Sequence, residues 1–241
     1  MVNRLIVVVG AGPGLGRSTA VTFAMQGFAV ALLSRSTKRL EKDVTIVKDS
    51  APGVQVKAYA ADVGDHIALK ATLEQVKQDL GPPEVLYFNA ARVEPSRIGQ
   101  TNPDYILEDF KTMNIGLYVA ATWAIPHLTA LAKERGAHPS ILFGGSGIMD
   151  HPIGDFFSLS LQKAAQYNLA GSLGQLVGPQ GVHVASVTIG GILDDSDPDM
   201  NSELIASKLW ELYRQEKHEW QFEIKVGDIM DLIKKMQIRQ T

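Results

Sequence analysis

Short apolar runs alternate with longer helical patterns along most of this 241-residue chain. The candidate strands are Leu5–Val9, Ala29–Leu33, Val54–Tyr59, Val85–Phe88, Ser140–Phe143, His183–Thr188 and Trp220–Val226. Candidate helices lie near residues 15–26, 37–49, 66–79, 104–134, 155–177 and 202–216, and a short last helix follows Gly227. Crossovers of this length join parallel strands, and continuously apolar strands indicate helices on both sheet faces. The pattern predicts an α/β fold with one doubly wound, Rossmann-like parallel sheet of about seven strands.

The sequence contains no internal repeat, low-complexity stretch or long Pro/Gly linker that would divide it. We therefore expect residues 1–241 to form a single domain, which at this size buries roughly 70–75% of its unfolded surface. The loosest stretch begins at Gly190 and is rich in Gly, Asp, Pro and Ser. We expect residues 190–216 to form a mobile substrate loop and the helix that follows it.

Composition excludes several functional classes. The chain has no cysteine, which excludes disulfide scaffolds and thiolate chemistry, and its formal charge of −3 argues against a nucleic-acid partner. The first apolar run is too short for a signal peptide, and no apolar segment reaches the roughly 20 residues that span a bilayer. Neither the histidines nor the aspartates at 194–199 have metal-ligand spacing. We expect a cytoplasmic protein without metal, membrane or nucleic-acid partners.

The first candidate strand runs directly into a glycine-rich turn. The turn carries Gly10, Gly14, Leu15 and Gly16, and a helical pattern follows it. Glycines at a strand-to-helix turn let the backbone approach a pyrophosphate, which then lies at the helix N-terminus. These four residues are therefore the predicted cradle for a dinucleotide.

The end of the second strand predicts which dinucleotide is bound. An acidic residue here would bond a free ribose 2′-hydroxyl, but the sequence reads Ser34-Arg35-Ser36. A guanidinium binds phosphate as a bidentate fork, and the neighbouring hydroxyls add donors. We therefore predict a preference for NADP(H) over NAD(H).

These motifs and their order resemble the short-chain dehydrogenase/reductase family over almost the whole chain. The matching positions are the glycine turn, Asp62-Val63 after the third strand, Asn89 in Phe-Asn-Ala-Ala, Asn114 in Met-Asn-Ile-Gly, Ser146 in Phe-Gly-Gly-Ser-Gly, and Gly190-Gly191. The resemblance implies that Asp62, Val63 and Asn89 bind the coenzyme and that Ser146 and Asn114 serve catalysis. It also implies a small carbonyl or alcohol substrate and a homodimer or homotetramer.

One family motif is incomplete in this sequence. The family's Tyr-xxx-Lys motif aligns with Leu159 and Lys163, and leucine cannot transfer a proton. The resemblance implies that Lys163 bonds the nicotinamide ribose. Lys163 itself, His151 and Asp155 are the candidate replacements for the missing acid, whereas Tyr167 lies about 12 Å further along the helix. His151 as an ordinary loop residue and Asp155 as a helix cap are the alternative interpretations.

Two functions therefore stay open at this point. The first is an oxidoreductase of the short-chain type that transfers hydride between NADP(H) and a carbonyl or alcohol without the usual tyrosine. The second is a catalytically silent relative that binds NADP(H) as a sensor, scaffold or partner subunit.

Overall fold

A computed structural model of the chain describes residues 4–238, without the side chains of 235–238. Seven strands form one sheet, in which all neighbouring strands are parallel and the spatial order is β3-β2-β1-β4-β5-β6-β7. The strands are β1 Leu5–Val9, β2 Ala29–Ser34, β3 Val56–Ala60, β4 Val85–Phe88, β5 Ser140–Ser146, β6 His183–Ile189 and β7 Glu223–Val226. This sheet confirms the predicted doubly wound α/β fold.

Helices cover both faces of the sheet. They are α1 Leu15–Met25, α2 Thr37–Ser50, α3 His66–Leu80, α4 Pro103–Phe110, α5 Gly116–Leu131, α6 Phe157–Val177, α7 Ser202–Tyr213 and α8 Ile229–Ile238. Val7 and its alternate neighbours in β1 pack against α3, α5 and α6, whereas Val8 faces α1, α2 and α7. Because both faces of β1 are buried, its sequence is continuously apolar rather than alternating.

The order of the strands reverses at β1, which pairs with both β2 and β4. The helices that follow β1 and β4 therefore leave toward opposite faces, and a crevice opens beyond the carboxyl ends of these strands. The amides of Gly10 and Ala11 both donate to the carbonyl oxygen of Leu33, at 3.0 and 2.9 Å. These bonds fix the turn after β1 at the edge of that crevice.

Several predicted element bounds were wrong. The predicted helix over 104–134 is divided into α4 and α5 by one turn of π-helix, Lys111–Ile115. The apolar pattern continues through this turn, so the sequence contains no break to mark it. The third strand begins two residues later than predicted, and the last strand begins at Glu223 because a 3₁₀ turn, Lys217–Glu219, and three irregular residues precede it.

The segment between β6 and α7 folds on itself through local hydrogen bonds. Asp194 N donates to Met200 O at 2.9 Å, and the Asp194 carboxylate accepts from Ser196. Asn201 caps α7, whose first residue, Ser202, lies beside Gly14 of the first turn. Within residues 4–238 no three metal-ligating side chains form a group, and no helix there is long and apolar enough to cross a membrane. The mobility of this segment stays a prediction.

Candidate active site

The turn after β1 requires glycine for two different reasons. Gly10 and Gly14 have φ angles of 95° and 84°, which L side chains rarely adopt. Gly10 also packs so closely on the end of β4 that a β-carbon would lie 2.7 Å from the carbonyl carbon of Asn89. A β-carbon on Gly16 would lie 2.8 Å from Gly10 O. The glycines therefore permit a compact turn packed against β4.

Helix α1 begins without a capping side chain. Gly14 occupies the N-cap position, no side chain accepts from the first-turn amides, and the first turn contains no acidic residue. A β-carbon on Gly12 would meet no atom within 4 Å, so the turn has open space beside it. Free amides and the helix dipole favour an anion at such an end. These features fit the diphosphate of a dinucleotide.

Asn89 connects the glycine turn to β4. Its Nδ2 donates to Gly10 O at 3.2 Å, and its Oδ1 accepts from the Tyr87 hydroxyl at 3.1 Å. Burial raises the pKa of Tyr87, which keeps that hydroxyl protonated as a donor. The structure thus brings Asn89 to the predicted coenzyme cradle.

The residues predicted to recognise the adenosine end lie at the carboxyl ends of β2 and β3. Ser34 ends β2, and the exposed Arg35 forms no ion pair or hydrogen bond within residues 4–238. Ser36 caps α2 by accepting from Arg39 N at 3.4 Å. Asp62 Oδ1 accepts from Gly64 N at 2.9 Å, and Val63 is buried beside it. Arg35 therefore offers an unpaired guanidinium at this end of the crevice.

Lys163 of α6 reaches back to the central strands. Its Nζ donates to Gly144 O of β5 at 2.6 Å and to Gln166 Oε1 at 3.0 Å. Gly144 in turn lies near Asn89, because a β-carbon on it would be 3.3 Å from Asn89 Oδ1. Burial lowers the pKa of Lys163 from 10.5 to about 8. An ammonium with such a pKa exchanges protons near physiological pH.

The two other predicted catalytic residues flank Lys163. Ser146 is the last residue of β5 and is partly exposed. Asn114 lies in the π-helical turn, 4% exposed, and its Nδ2 donates to Gln162 Oε1 at 2.8 Å. The buried Asn114 Oδ1 receives no donor from the described residues. It is therefore an acceptor available to a water molecule or ligand.

Leu159 lies one helical turn before Lys163 and is 7% exposed. It packs in an apolar cluster with Met113, Ile148 and Ile229. The first turn of α8 approaches closely, since a β-carbon on Gly147 would lie 2.7 Å from Ile229 Cβ. The side chain at position 159 thus brings no hydroxyl and no charge to the site.

The fold and the residues of the candidate site are similar to those of a known protein family. The sequence model of the family described as short chain dehydrogenase matches residues 4–205. The chain belongs to the short-chain dehydrogenase family. The resemblance drawn from the sequence motifs is thereby confirmed, and homologous proteins in this family are named as dehydrogenases and reductases.

Two curated relatives show how far the similarity extends. Levodione reductase of Leifsonia aquatica is 33% identical over 101 residues, which are 42% of this chain and 36% of the relative. Meso-2,3-butanediol dehydrogenase of Serratia marcescens is 29% identical over 126 residues, which are 52% of this chain and 49% of the relative. The matched segments thus span between one third and one half of these relatives.

Solved structures share the fold over almost the whole chain. A short-chain dehydrogenase from Rhodopseudomonas palustris superposes with a TM-score of 0.81 and 23% identity, covering 93% of this chain and 98% of that chain. A short chain oxidoreductase from Pseudomonas aeruginosa PAO1 containing an atypical catalytic center, solved with NADPH bound, has a TM-score of 0.82 and 20% identity, covering 93% and 95%. At this level of identity, the likeness shows the fold alone.

The structure separates the residues that the sequence offered as candidates for proton transfer. Asp155 is not a helix cap, because α6 begins at Phe157 without a side-chain cap. Its carboxylate instead accepts from Arg97 Nε at 2.6 Å. His151 is exposed, and Tyr167 packs edge-on against Phe222 with ring centroids 5.2 Å apart. Lys163 is the candidate that lies against the central strands.

The sequence interpretation missed two residues of the site, Gln162 and Gln166. Both are 1% exposed, and they contact Asn114 and Lys163 respectively. Their spacing of four places them on one face of α6. A pair of amides on the buried face of a helix was the available signal, because buried amides require hydrogen-bond partners.

Proposed function

We propose that the protein is an NADP(H)-dependent oxidoreductase of small carbonyl or alcohol substrates, with Lys163 as the proton-transferring group. The observation that carries this proposal is the position of Lys163. Its Nζ lies within 2.6 Å of the β5 backbone, beside the crevice, and burial lowers its pKa to about 8. General acid–base groups work best with a pKa near the operating pH.

The proposed coenzyme-binding residues form two groups, one at the diphosphate and one at the adenosine end of the coenzyme. The turn with Gly10 and Gly14, together with the amides of Leu15 and Gly16 at the start of α1, holds the diphosphate. Ser34 and Arg35 hold the 2′-phosphate, whose charge matches the unpaired guanidinium. Asp62 and Val63 line the adenine position, and Asn89 supports the turn. When bound, the nicotinamide supplies or accepts the hydride.

The remaining residues handle the substrate oxygen and its proton. The Ser146 hydroxyl orients the substrate oxygen at the end of β5. Lys163 holds the nicotinamide ribose, donates a proton to the substrate oxygen in reduction and accepts it in oxidation. The free acceptor on Asn114 holds a water molecule that connects this group to solvent. Positioned proton transfer typically contributes about 10²–10⁴ in rate.

One solved structure of the same fold supports both the proposed coenzyme and the proposed unusual catalytic centre. The Pseudomonas aeruginosa oxidoreductase contains an atypical catalytic center and was solved with NADPH bound. A protein of this fold therefore takes NADPH without the usual catalytic arrangement. The free Arg35 is the corresponding argument from this chain itself.

We also propose that the protein is a cytoplasmic homodimer or homotetramer. Large apolar side chains are exposed on the helices that lie beside the site, namely Leu107 and Phe110 of α4, Tyr118 of α5 and Leu161 of α6. A second copy of the chain would cover this surface. Light scattering tests the proposal, and a species of 26 kDa alone would contradict it.

The second candidate function is a catalytically silent protein that binds NADP(H). The observation that favours it is the apolar packing of Leu159 against Met113, Ile148 and Ile229. If it is correct, the natural protein is inert toward carbonyl compounds, and Leu159→Tyr creates or greatly raises the activity. If the oxidoreductase proposal is correct, the natural protein turns over and Lys163→Met abolishes turnover.

Parallel calorimetric titrations with NADPH and NADH are the first test. Tight binding of NADPH and much weaker binding of NADH supports the coenzyme assignment, and absence of binding by both contradicts both candidate functions. A panel of aldehydes and ketones then measures turnover in the natural protein and in Lys163→Met. Turnover by the natural protein that survives this substitution contradicts the role of Lys163.

A further inference from the structure

Two buried glutamines on α6 contact the groups proposed for proton transfer. We infer that Gln166 is a positioning residue, which holds the Lys163 ammonium against Gly144 of β5. Gln162 holds Asn114 in the same way. The inference rests on the proposed role of Lys163, and it assigns Gln166 a function that the family motif does not contain.

The contacts of Gln166 form a continuous bridge. Its Oε1 accepts from Lys163 Nζ at 3.0 Å, and its Nε2 donates to Met113 O at 3.0 Å. Met113 lies in the π-helical turn that separates α4 from α5. Gln166 therefore joins Lys163 to the segment that also carries Asn114. Irregular turns of this kind occur often at functional sites, where they redirect backbone groups.

The second glutamine repeats this arrangement one helical turn earlier. Gln162 Oε1 accepts from Asn114 Nδ2 at 2.8 Å, which leaves Asn114 Oδ1 directed away from that bond and without a donor. Burying an amide costs free energy unless it is hydrogen-bonded. The side chains of both glutamines form their hydrogen bonds with residues of the candidate site or with the adjoining π-helical turn. This arrangement is expected of side chains that hold the residues of a site in position.

An ammonium offers three donors, and Lys163 uses two of them. Gly144 O and Gln166 Oε1 accept these two protons. Gln166 is the side chain among residues 4–238 that hydrogen-bonds to Lys163. The third proton is available to a ribose hydroxyl of the coenzyme, to the substrate oxygen or to a water molecule. Without Gln166, the flexible four-carbon stem of Lys163 would retain a single anchor on β5.

Among residues 4–238, no charged side chain forms a hydrogen bond or an ion pair with the Lys163 ammonium. Burial is the cause that lowers its pKa. The titratable groups on the elements packed around α6 include Asp109, which pairs with Arg92 and accepts from Ser158, and His183, which bonds Gln221 O. Tyr87 bonds Asn89, Lys111 bonds Glu108, Asp155 bonds Arg97, Tyr167 packs on Phe222, and Asp150 and His151 are exposed. Gly144 O and the neutral amide of Gln166 are therefore the polar groups that contact the ammonium, and a change at position 166 acts directly on it.

The test replaces Gln166 in two opposite ways. Gln166→Leu removes an acceptor from the charged form and should lower the pKa of Lys163 by about one unit. Gln166→Glu places a carboxylate beside the ammonium and should raise it by about one to three units. The readout is the titration of the Lys163 ¹³Cε signal in lysine-labelled protein, assigned by its loss in Lys163→Met. Gln180→Leu and Gln180→Glu are matched controls, because Gln180 is exposed and bonds Leu176 O.

Opposite shifts in the two Gln166 variants, with none in the Gln180 variants, support the inference. Shifts in the same direction, or no shift, overturn it. Circular dichroism checks folding, and Gln166→Met replaces the leucine variant if that variant does not fold. The titration needs no turnover, so it separates the two proposals. A natural protein inert toward every carbonyl contradicts the proposed function, whereas the titration alone decides the role of Gln166.

Discussion

Arg4 and Glu84 form an ion pair across the start of the paired strands β1 and β4, with Arg4 Nε 3.1 Å from Glu84 Oε2. The Glu84 side chain is 3% exposed and also accepts from the Tyr213 hydroxyl at 2.7 Å and from His138 N at 3.1 Å. Three different segments thus converge on one buried carboxylate at the edge of the sheet opposite the crevice.

Removing that carboxylate should destabilise the protein without altering the site. We expect Glu84→Ala to lower the free energy of unfolding by about 3–5 kcal/mol, because it leaves three donors without their acceptor. Urea denaturation measures the change. Glu211→Ala is the control, since Glu211 pairs with Lys208 on the solvent-facing side of α7 and such pairs contribute roughly 0–1 kcal/mol. Equal losses in both variants would contradict the prediction.

The glycine turn provides a second test with a matched pair. Gly10 and Gly53 have similar φ angles of 95° and 87°, but only Gly10 has backbone atoms where a β-carbon would lie. Gly53→Ala should therefore show backbone strain alone, about 1 kcal/mol. Gly10→Ala should cost about 1–3 kcal/mol more and abolish binding of NADPH, because the turn must move away from β4. Calorimetry and urea denaturation measure the two effects, and normal NADPH affinity in Gly10→Ala would contradict the assignment.

Arg35 should determine the choice of coenzyme. Arg35→Asp removes a charge-assisted contact worth about 1.5–3 kcal/mol, which corresponds to a loss of NADPH affinity of roughly 10- to 100-fold. The affinity for NADH, which carries no 2′-phosphate, should change little. Lys42→Asp, an equal charge change on the exposed face of α2, is the control. Equal weakening of both coenzymes by Arg35→Asp would contradict the assignment.

The pKa of Lys163 predicts the pH dependence of turnover. Reduction needs the protonated amine, so kcat for reduction should be constant below about pH 8 and fall tenfold per unit above it. Oxidation needs the neutral amine and should rise through the same midpoint. Rates measured between pH 6 and 10 in both directions test this. Parallel profiles for the two directions would show that another group transfers the proton.

The sequence predicted the bounds of a strand or helix well where its own apolar residues form a clear run with polar residues at each end. The bounds of β1 and β4 agree with prediction, because both are continuously apolar runs between polar residues. The division of 104–134 was missed, since a π-helical turn changes the hydrogen-bond register but not the apolar pattern. The alternative interpretation of Asp155 as a helix cap was wrong, because its carboxylate instead accepts from Arg97, which lies 58 residues earlier.

The candidate site was also predictable only in part. The glycine turn was predictable because backbone conformation and close packing restrict those positions to glycine. The bond from Gln166 to Met113 was not, since it joins α6 to a turn 53 residues earlier that the sequence does not mark. The roles assigned to Ser146, Asn114 and Lys163 stay predictions that the experiments above test.

The apolar cluster around Leu159 is completed late in the synthesis of the chain, because one of its members lies after the last strand. The glycine turn needs only residues from β1, β2 and β4, which the ribosome makes within the first 90 residues. Ile229, which closes the cluster beside Lys163, follows the last strand. This apolar cluster is therefore complete only after β7 has been synthesised. A nascent chain stalled before β7 has the residues of the predicted coenzyme cradle but lacks Ile229, which packs against Leu159 beside the proposed catalytic lysine.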